Sequence, residues 1–224
     1  MSIATNNYIL IETIQPAKKK GSLFLPDQAI DTPRWGRVLD VGEGIYDYYG
    51  NMFPPNVAIG DYVFFMRHGP EKTDYSDMGL PPNLYVISEG DIYIKMKHRK
   101  DEIEPMGNYV HVRPLDDTVQ KVTPGGIVLP DQVVERPCKG VVVSVGRGQR
   151  LAGGEYKRPP LSPGDIVRYR NHSAFVINFA DLDDRDEELV IPYGDILLRE
   201  VPDFAETLKK RIDNLNALEQ GDDE

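Results

Sequence analysis

The sequence predicts an all-β protein made of two tandem copies of one small barrel or sandwich, followed by a short C-terminal α-helix. Short runs of β-branched and aromatic residues alternate with turn residues, and the 224 residues include 20 Gly and 18 Pro. Short strands separated by turns, with no helical period, are typical of small all-β domains. The second observation is an internal repeat that divides the chain into two similar units.

The repeat is clearest in an eight-residue segment that joins a glycine to an apolar triplet and a Pro-Asp-Gln sequence. Its copies are residues 21–28 and residues 125–132, which are 104 positions apart. At the same shift, the strand-like residues 140–146 fall on residues 36–42. The unit starts with Asn-Tyr at positions 7 and 108, a shift of 101, so the second copy has three extra residues before its triplet. Matching blocks in one order indicate an internal duplication.

The first repeat contains five predicted strands and a hairpin with an aromatic tip. Four aromatic residues surround the Gly50-Asn51 turn of the predicted hairpin. A charged, then turn-like segment separates the repeats, as expected of a linker. The predicted strands of the first repeat cover residues 8–14, 35–42, 62–65, 84–87 and 92–94. The predicted domains are the first repeat (residues 1–97), the linker (98–107), the second repeat (108–200), and a helix with an acidic tail (201–224).

The end of the chain differs from both repeats because its apolar residues follow a helical spacing. They recur every three or four positions in a polar segment, which predicts a short amphipathic helix. Its apolar stripe can dock on a barrel or pair with another chain. The residues of the stripe are Phe204, Leu208, Ile212, Leu215 and Leu218.

Composition narrows the possible partners and locations. A net charge of −10 and a pI of about 4.9 argue against nucleic-acid binding, which needs clustered Lys and Arg. The only cysteine, Cys138, cannot form an internal disulfide. No apolar run reaches the length of a membrane span, and residues 1–7 show neither a signal nor a transit pattern. We therefore expect a cytoplasmic protein that binds neither nucleic acid nor membrane.

Signs of catalysis are weak, so we expect no enzyme activity, no cofactor and no metal. His68 and His172 correspond between the repeats, but neither has a neighbouring His or Cys at a metal-ligand spacing. The Gly-x-Gly sequences at Gly42 and Gly146 lack the third glycine of a dinucleotide loop. The acidic residues 181–188 lack the central glycine of a calcium loop, and a solvated turn is the simpler interpretation.

The second repeat resembles the chaperonin-10 (GroES-like co-chaperonin) family, because five family motifs occur in it in order. The first repeat resembles the family more distantly, since Glu12-Thr13-Ile14 stands where the second has Arg113-Pro114-Leu115. The motifs of the second repeat are residues 112–117, 125–130, 139–146, 163–167 and 194–197.

The resemblance implies that the chain caps the ring of an ATP-driven chaperonin of the chaperonin-60 (GroEL-like) type. Family members form seven-fold rings of partly open Greek-key barrels, whose first and last strands pair with neighbouring subunits. A mobile loop from each barrel places an apolar triplet in a groove of the chaperonin. Two barrels per chain do not divide evenly into seven, so the stoichiometry of a homo-oligomeric ring stays open. The hairpin around Gly153 and Gly154 corresponds to the roof of the ring.

The implied loop residues follow from the matching motifs. Gly21, Gly125 and Gly126 provide flexibility, because glycine has the largest conformational freedom. The implied chaperonin-binding residues are Leu23, Phe24, Leu25, Ile127, Val128 and Leu129.

Two other classes of function are compatible with the residues. The chain can be a structural or assembly barrel, such as a viral one, that has lost the chaperonin contact, because a fold alone does not fix a function. It can also be an accessory barrel of an enzyme, as in zinc alcohol dehydrogenases. No nucleotide-binding domain and no set of Cys and His ligands follows the barrels, which disfavours the enzyme.

Overall fold

Strands dominate the architecture, which we describe from a computed structural model. It describes residues 2–14, 19–20, 23–24, 34–66, 70–73, 79–99, 101–115, 139–151, 154–177, 188–201, 203 and 206–212. In the first repeat and the linker the strands are β1 (Tyr8–Ile14), β2 (Lys19–Lys20), β3 (Leu23–Phe24), β4 (Trp35–Val41), β5 (Ile45–Tyr46), β6 (Met52–Phe53), β7 (Tyr62–Phe65), β8 (Glu71–Lys72), β9 (Leu84–Ser88), β10 (Ile92–Met96) and β11 (Glu104–Pro105). In the second repeat they are β12 (Tyr109–Pro114), β13 (Lys139–Val145), β14 (Gln149–Arg150), β15 (Tyr156–Lys157), β16 (Ile166–Tyr169), β17 (Phe175–Ile177), β18 (Glu188–Pro192) and β19 (Ile196–Glu200).

Each repeat forms one antiparallel sheet with the strand order of a Greek key. In the first repeat β9, β1, β4 and β7 lie side by side, and β10 pairs with β7. Only the single turn Glu89–Asp91 separates β9 from β10, although the two strands lie on opposite sides of the β1–β4–β7 group. The sheet must therefore curl until these strands approach each other, which gives a partly open barrel.

The second repeat has the same topology. Its strands β18, β12, β13, β16 and β19 follow in that order, and the turn Tyr193–Asp195 joins β18 to β19. A β-bulge interrupts the β1–β4 pairing at Leu10/Ile11 and the β12–β13 pairing at His111/Val112, a shift of 101. The predicted all-β fold of two Greek-key barrels is confirmed.

Glycine conformations repeat with the same register. A Cβ at Gly44 would overlap the carbonyl of Phe53, and one at Gly148 would overlap that of Lys157, so both sites require glycine. The two repeats therefore share the backbone conformation of individual turns. Three glycine pairs have positive φ at a shift of 104: Gly44 (109°) and Gly148 (98°), Gly50 (82°) and Gly154 (83°), and Gly60 (95°) and Gly164 (93°).

Each barrel has its own apolar core, formed by alternate residues of its strands. Ile9 and Ile11 of β1 are fully buried, and so are Val110 and Val112 of β12. The first core also includes Met106, which lies in the segment predicted as a linker and is 3% exposed. The period of two in the strand sequences therefore decides which residues form each core.

A third cluster joins the two repeats. Tyr93 of β10 stacks on Phe175 of β17 with 4.5 Å between ring centroids, and it meets Tyr109 edge-on at 5.0 Å. Ile177 and Val190 of the second repeat belong to the same buried cluster. Aromatic contacts of this kind add to the free energy of burial, so the two barrels share a packed joint.

The segment predicted as a linker takes part in this joint. Its strand β11 pairs with β10, and the N–H of Met106 donates to the carbonyl of Tyr93 at 2.8 Å. Lys95 and Glu104 add an ion pair of 3.3 Å. Ile103 is 5% exposed, so an apolar side chain anchors a segment that is mostly charged.

The predicted C-terminal helix is confirmed as a short helix, α1 (206–212). Glu206 and Lys210 form an ion pair of 2.8 Å across one turn. Leu208 and Ile212 are 46% and 48% exposed. Phe204, Leu215 and Leu218 lie outside the described residues. No helix in the described parts of the chain has both the length and the apolar character needed to cross a membrane.

Candidate functional site

The two predicted loops leave their barrels at equivalent points. The first connects β1 to β4, whose last register pair is Ile14 with Trp35. The second connects β12 to β13, where Pro114 lies opposite Gly140. Since β1 and β12 occupy the same place in the two sheets, both loops start from the same end of the Greek key.

Part of the first loop is described, and it forms a small hairpin. Strands β2 and β3 pair antiparallel, with Lys19 opposite Phe24 and Lys20 opposite Leu23. This hairpin therefore carries the first two residues of the first apolar triplet. The other predicted loop residues lie outside the described residues: Gly21, Leu25, Gly125, Gly126, Ile127, Val128 and Leu129.

Aromatic packing and backbone hydrogen bonds hold the base of the first loop. Trp35 is 1% exposed, and its ring lies 5.1 Å from that of Phe64. On the other side, the N–H of Thr13 donates to the carbonyl of Asn83, and Nδ2 of the Asn83 side chain donates to the carbonyl of Thr13, both at 2.9 Å. The loop is therefore anchored at both ends.

Ion pairs hold the corresponding base of the second loop. Lys139 Nζ and Arg168 Nε each lie 2.9 Å from a different oxygen of Glu200. The hydrogen bond from Lys139 is the main cause that lowers the pKa of Glu200, and the bond from Arg168 adds to it. This cluster ties the first residue of β13 to β16 and β19.

A second polar cluster lies in the adjoining strands β12 and β18. His111 is buried, and its Nε2 lies 2.8 Å from Oε2 of Glu188. Arg113 Nη2 lies 2.9 Å from the other oxygen of the same carboxylate. The hydrogen bond from His111, followed by that from Arg113, lowers the pKa of Glu188 to about 2 despite the opposing effect of burial.

Ser144 completes this cluster, but its geometry does not make it a nucleophile. Its hydroxyl donates to the carbonyl of Ile103 at 2.8 Å, and His111 Nδ1 lies 3.3 Å from the same oxygen. A serine hydroxyl has one proton, and while it is donated to the carbonyl of Ile103 it is not directed at His111 Nδ1. A general base would have to accept the serine proton instead. The cluster thus fastens the end of the linker to the second barrel.

Sequence reasoning missed this cluster, although the repeat contains a signal for it. His111 and Glu188 correspond to Leu10 and Leu84 of the first repeat at the shifts of 101 and 104. An apolar pair is therefore replaced by a hydrogen-bonded polar pair at two positions that the sheet brings together. The sequence singled out His68, which lies outside the described residues, and His172, which is exposed.

The predicted aromatic hairpin is confirmed as β5 and β6. Its tip is exposed, with Tyr46 at 67%, Tyr48 at 97% and Tyr49 at 73%. The matching hairpin of the second repeat, β14 and β15, lies beside it, and the Arg150 guanidinium sits 4.1 Å above the Phe53 ring. The two hairpins are thus in contact within one chain. Gly154 is part of this contact, whereas Gly153 lies outside the described residues.

The last strand of each barrel has a different environment. In the first repeat β10 is covered by β11, and Ile94 is fully buried. In the second repeat β19 is an edge strand, whose Leu197 and Leu198 are 54% and 48% exposed. Exposed edge strands can pair with another chain.

The N-terminal residues 2–4 correspond to residues 103–105 at the shift of 101. The carboxylate of Asp40 binds them to the first barrel, accepting hydrogen bonds from the backbone N–H groups of Ile3 and Ala4. The bond from Ala4 is the main cause that lowers the pKa of Asp40. Asp40 and Ser144 are equivalent at the shift of 104, and each holds its neighbouring segment through a hydrogen bond. Ile3 is 81% exposed.

Comparison with known sequences points to one family for both repeats. The profile of the family described as "Chaperonin 10 Kd subunit" matches residues 2–95 and again residues 102–199. Over 87 residues, the chain is 31% identical to the co-chaperonin GroES of Ehrlichia chaffeensis, which covers 39% of this chain and 88% of that protein. It is 36% identical over 97 residues to co-chaperonin GroES 1 of Rhodopirellula baltica, covering 40% and 92%.

A third relative matches over more than one repeat. The chain is 26% identical over 164 residues to the 20 kDa chloroplastic chaperonin of Arabidopsis thaliana, covering 71% of this chain and 62% of that protein. An alignment of this length has to cross from one repeat into the other.

Proposed function

Since the chain belongs to the chaperonin-10 family, whose profile it matches twice, we propose that it is a tandem co-chaperonin. It caps the ring of an ATP-driven group I chaperonin of the chaperonin-60 (GroEL-like) type and assists protein folding. The observation that carries this proposal is the double family match over two barrels of one topology. The proposed domains are residues 1–97 and 108–200, joined by 98–107. The proposed role is a binding role without catalysis, and the proposed location is the cytoplasm.

Binding goes through the apolar triplets of both loops. Burying three aliphatic side chains contributes roughly 4–9 kcal/mol in total. Ordering some ten loop residues costs about 10 kcal/mol or more. One loop alone therefore binds weakly, and several loops on a rigid body bind through their high effective concentration. The anchored loop bases support this division between a rigid frame and a binding segment. The residues are Leu23, Phe24, Leu25, Ile127, Val128 and Leu129, with Gly21, Gly125 and Gly126 providing flexibility.

We propose that several copies of the chain form a homo-oligomeric ring. Among the described residues, β19 has a strand partner on one side only, and residues 3–4 are the counterparts of the strand that covers β10. Within the chain, Ile94 pairs with Pro105 and Lys95 with Glu104. At the shifts of 104 and 101 the equivalent pairs are Leu198 with Ala4 and Arg199 with Ile3 of a neighbouring chain. A head-to-tail contact of this kind closes into a ring when its rotation allows.

Capture by a chaperonin-60 ring tests the proposal. The chain is mixed with the ring and ATP, and the complex is measured by size-exclusion chromatography. We expect capture of the native chain, weaker capture when Ile127, Val128 and Leu129 are replaced by Ser, and none when residues 23–25 are also replaced. The matched control, Tyr48→Ser with Tyr49→Ser, changes two exposed residues outside the loops and leaves capture unchanged.

Two results would contradict the proposal. A native chain that is never captured would favour the structural barrel over the co-chaperonin. Capture that survives both triple substitutions would show that the contact lies elsewhere. Circular dichroism of the variants confirms that the barrels stay folded.

A further inference from the structure

The hairpins β5–β6 and β14–β15 contact each other within one chain. Phe53 at the end of β6 lies between the Arg150 guanidinium, 4.1 Å from its ring centroid, and the backbone of Gly154. A Cβ at Gly154 would lie 2.9 Å from the Phe53 ring, so glycine makes this close approach possible. The contact is therefore a cation held over a ring whose edge fits against a glycine.

Each hairpin uses a different side in this contact. The first contributes Phe53, and the second contributes Arg150 and Gly154. At the shift of 104, the side of the second hairpin that corresponds to Phe53 carries Lys157. The side of the first hairpin that corresponds to Arg150 and Gly154 carries Tyr46 and Gly50. These unused sides again contain one cation, one ring and one glycine, with cation and ring exchanged.

Both unused sides are open in the single chain. Tyr46 is 67% exposed, and Lys157 is also exposed. Gly50 keeps the positive φ of its counterpart, 82° against 83° at Gly154, so the first hairpin has the same turn. Within the part of the chain that the structure describes, no atom lies within 4 Å of a Cβ built at Gly50, which leaves room for a partner there.

The charges of the two hairpins are complementary. Residues 43–54 contain two acidic residues and no Lys or Arg, whereas residues 147–158 contain four basic residues and one acidic residue. Asp47 fixes the shape of the first hairpin by accepting hydrogen bonds from the N–H groups of Tyr49 and Asn51, both at 2.8 Å. A basic hairpin thus favours an acidic, aromatic hairpin as its neighbour on both of its sides.

We propose that Lys157 of one chain lies over the Tyr46 ring of a neighbouring chain, next to Gly50 of that neighbour. The occupant of the tyrosine surface is therefore a second copy of this chain, whose two hairpins alternate around the assembly. This inference rests on the proposed ring and adds the residues that join its hairpins. It explains why Lys157 stands at the position equivalent to Phe53 and Tyr46 at the position equivalent to Arg150. Each of the two contacts still pairs one cation with one ring.

Thiol cross-linking tests the contact, in a background where Cys138 is replaced by Ser. One chain carries Tyr46→Cys and the other carries Lys157→Cys, and a short thiol-reactive cross-linker is added to their mixture. We expect covalent dimers in the mixture and none from either variant alone, because the contact is head-to-tail. A chain with both substitutions gives a ladder of higher oligomers. The matched control, Phe53→Cys with Arg150→Cys, cross-links within one chain.

A charge-and-ring exchange provides a second measurement. Tyr46→Ala weakens chain-to-chain association about two- to fivefold, as expected for one exposed cation–π contact. Tyr46→Lys weakens it further because it faces Lys157, and adding Lys157→Tyr restores it. Tyr48→Ala, at the hairpin tip, leaves association unchanged. Sedimentation velocity gives the association constants.

The outcomes separate this inference from the proposed function. Chains that associate by mass but give no dimers in the mixture would overturn the hairpin contact and leave the ring standing. Chains that stay monomeric at all concentrations would overturn both the contact and the ring. Capture by the chaperonin reports on the loops in either case. Dimers from Tyr46→Cys alone would show a symmetric contact and would also overturn the inference.

Discussion

Equivalent positions beside the loop bases have opposite chemistry in the two repeats. In the first repeat Trp35 and Phe64 are 1% exposed, with their rings 5.1 Å apart. In the second repeat Lys139 and Arg168 take these positions and share the carboxylate of Glu200 through ion pairs of 2.9 Å. The backbone pairing is the same, since Trp35 lies opposite Phe64 and Lys139 lies opposite Arg168.

The difference follows from what covers each surface. The Trp35 cluster continues into Ile177 and Val190 of the second repeat, so it is closed off by the joint between the barrels. The surface around Glu200 adjoins the open edge strand β19. Contact with solvent costs little free energy for ion-paired side chains. An uncovered Trp–Phe pair would instead leave a large apolar patch in contact with solvent. Strand pairing places these residues at equivalent positions, and what covers each surface decides whether they are apolar or charged.

Trp35→Ala should have the largest effect on stability. We expect a loss of about 3–5 kcal/mol in the free energy of unfolding, because a large ring leaves a cavity in a closed cluster. Lys139→Ala at the equivalent position is the control, and it costs less than about 1 kcal/mol because its ion pair is partly exposed. Urea unfolding followed by circular dichroism measures both. Equal losses would mean that the two surfaces are equally buried.

Glu188→Ala should have the second largest effect, a loss of about 3 kcal/mol in the free energy of unfolding. It removes the partner of the buried His111 and leaves the imidazole without its carboxylate. The destabilisation should be confined to the second repeat, so hydrogen exchange should rise in β12 and β18 more than in β1 and β9. A uniform rise in both repeats would argue against a local role.

Acid should weaken the second repeat through the same carboxylate. The pKa of Glu188 is about 2 in the folded chain and near 4.5 for an ordinary glutamate. Its contribution is therefore fully present above about pH 4.5 and is lost as the pH falls towards 2, up to roughly 3 kcal/mol. Unfolding midpoints between pH 5 and pH 2 measure this loss. Glu188→Leu combined with His111→Leu should remove this part of the pH dependence.

The same double substitution should change the stability of the second repeat only slightly at neutral pH. It gives the second repeat the apolar pair that the first has at Leu10 and Leu84. Replacing a buried carboxylate and its polar partner by apolar residues of similar size is often neutral or stabilising, so we expect the free energy of unfolding to change by less than about 1.5 kcal/mol. A larger loss would show that the polar pair is required for packing.

The repeated fold could be predicted because its signals are local. Residues 8–14 and 62–65 were predicted as strands, and β1 and β7 have these same bounds. Alternating apolar residues, glycines at tight turns and a duplicated pattern all lie within short stretches of sequence. The C-terminal helix also followed from its spacing, although only residues 206–212 of it are described.

The joint and the polar cluster could not be predicted because they depend on contacts between distant residues. His111 and Glu188 are 77 positions apart, and Tyr93 meets Phe175 across two domains. Residues 98–107 have a charged composition that predicts an exposed linker, yet Ile103 and Met106 within it are buried. The loop triplets came from the repeat and from the family resemblance, and the structure describes only Leu23 and Phe24 among them.

Hydrogen exchange with and without the chaperonin tests whether the two loop segments bind a chaperonin-60 ring. We predict fast exchange of residues 21–25 and 125–129 in the isolated chain, since their binding free energy comes only from the partner. Both segments should become protected when a chaperonin-60 ring and ATP are added, while β1 and β12 stay protected throughout. Protection of both segments in the isolated chain, or no change on adding the ring, would contradict the account.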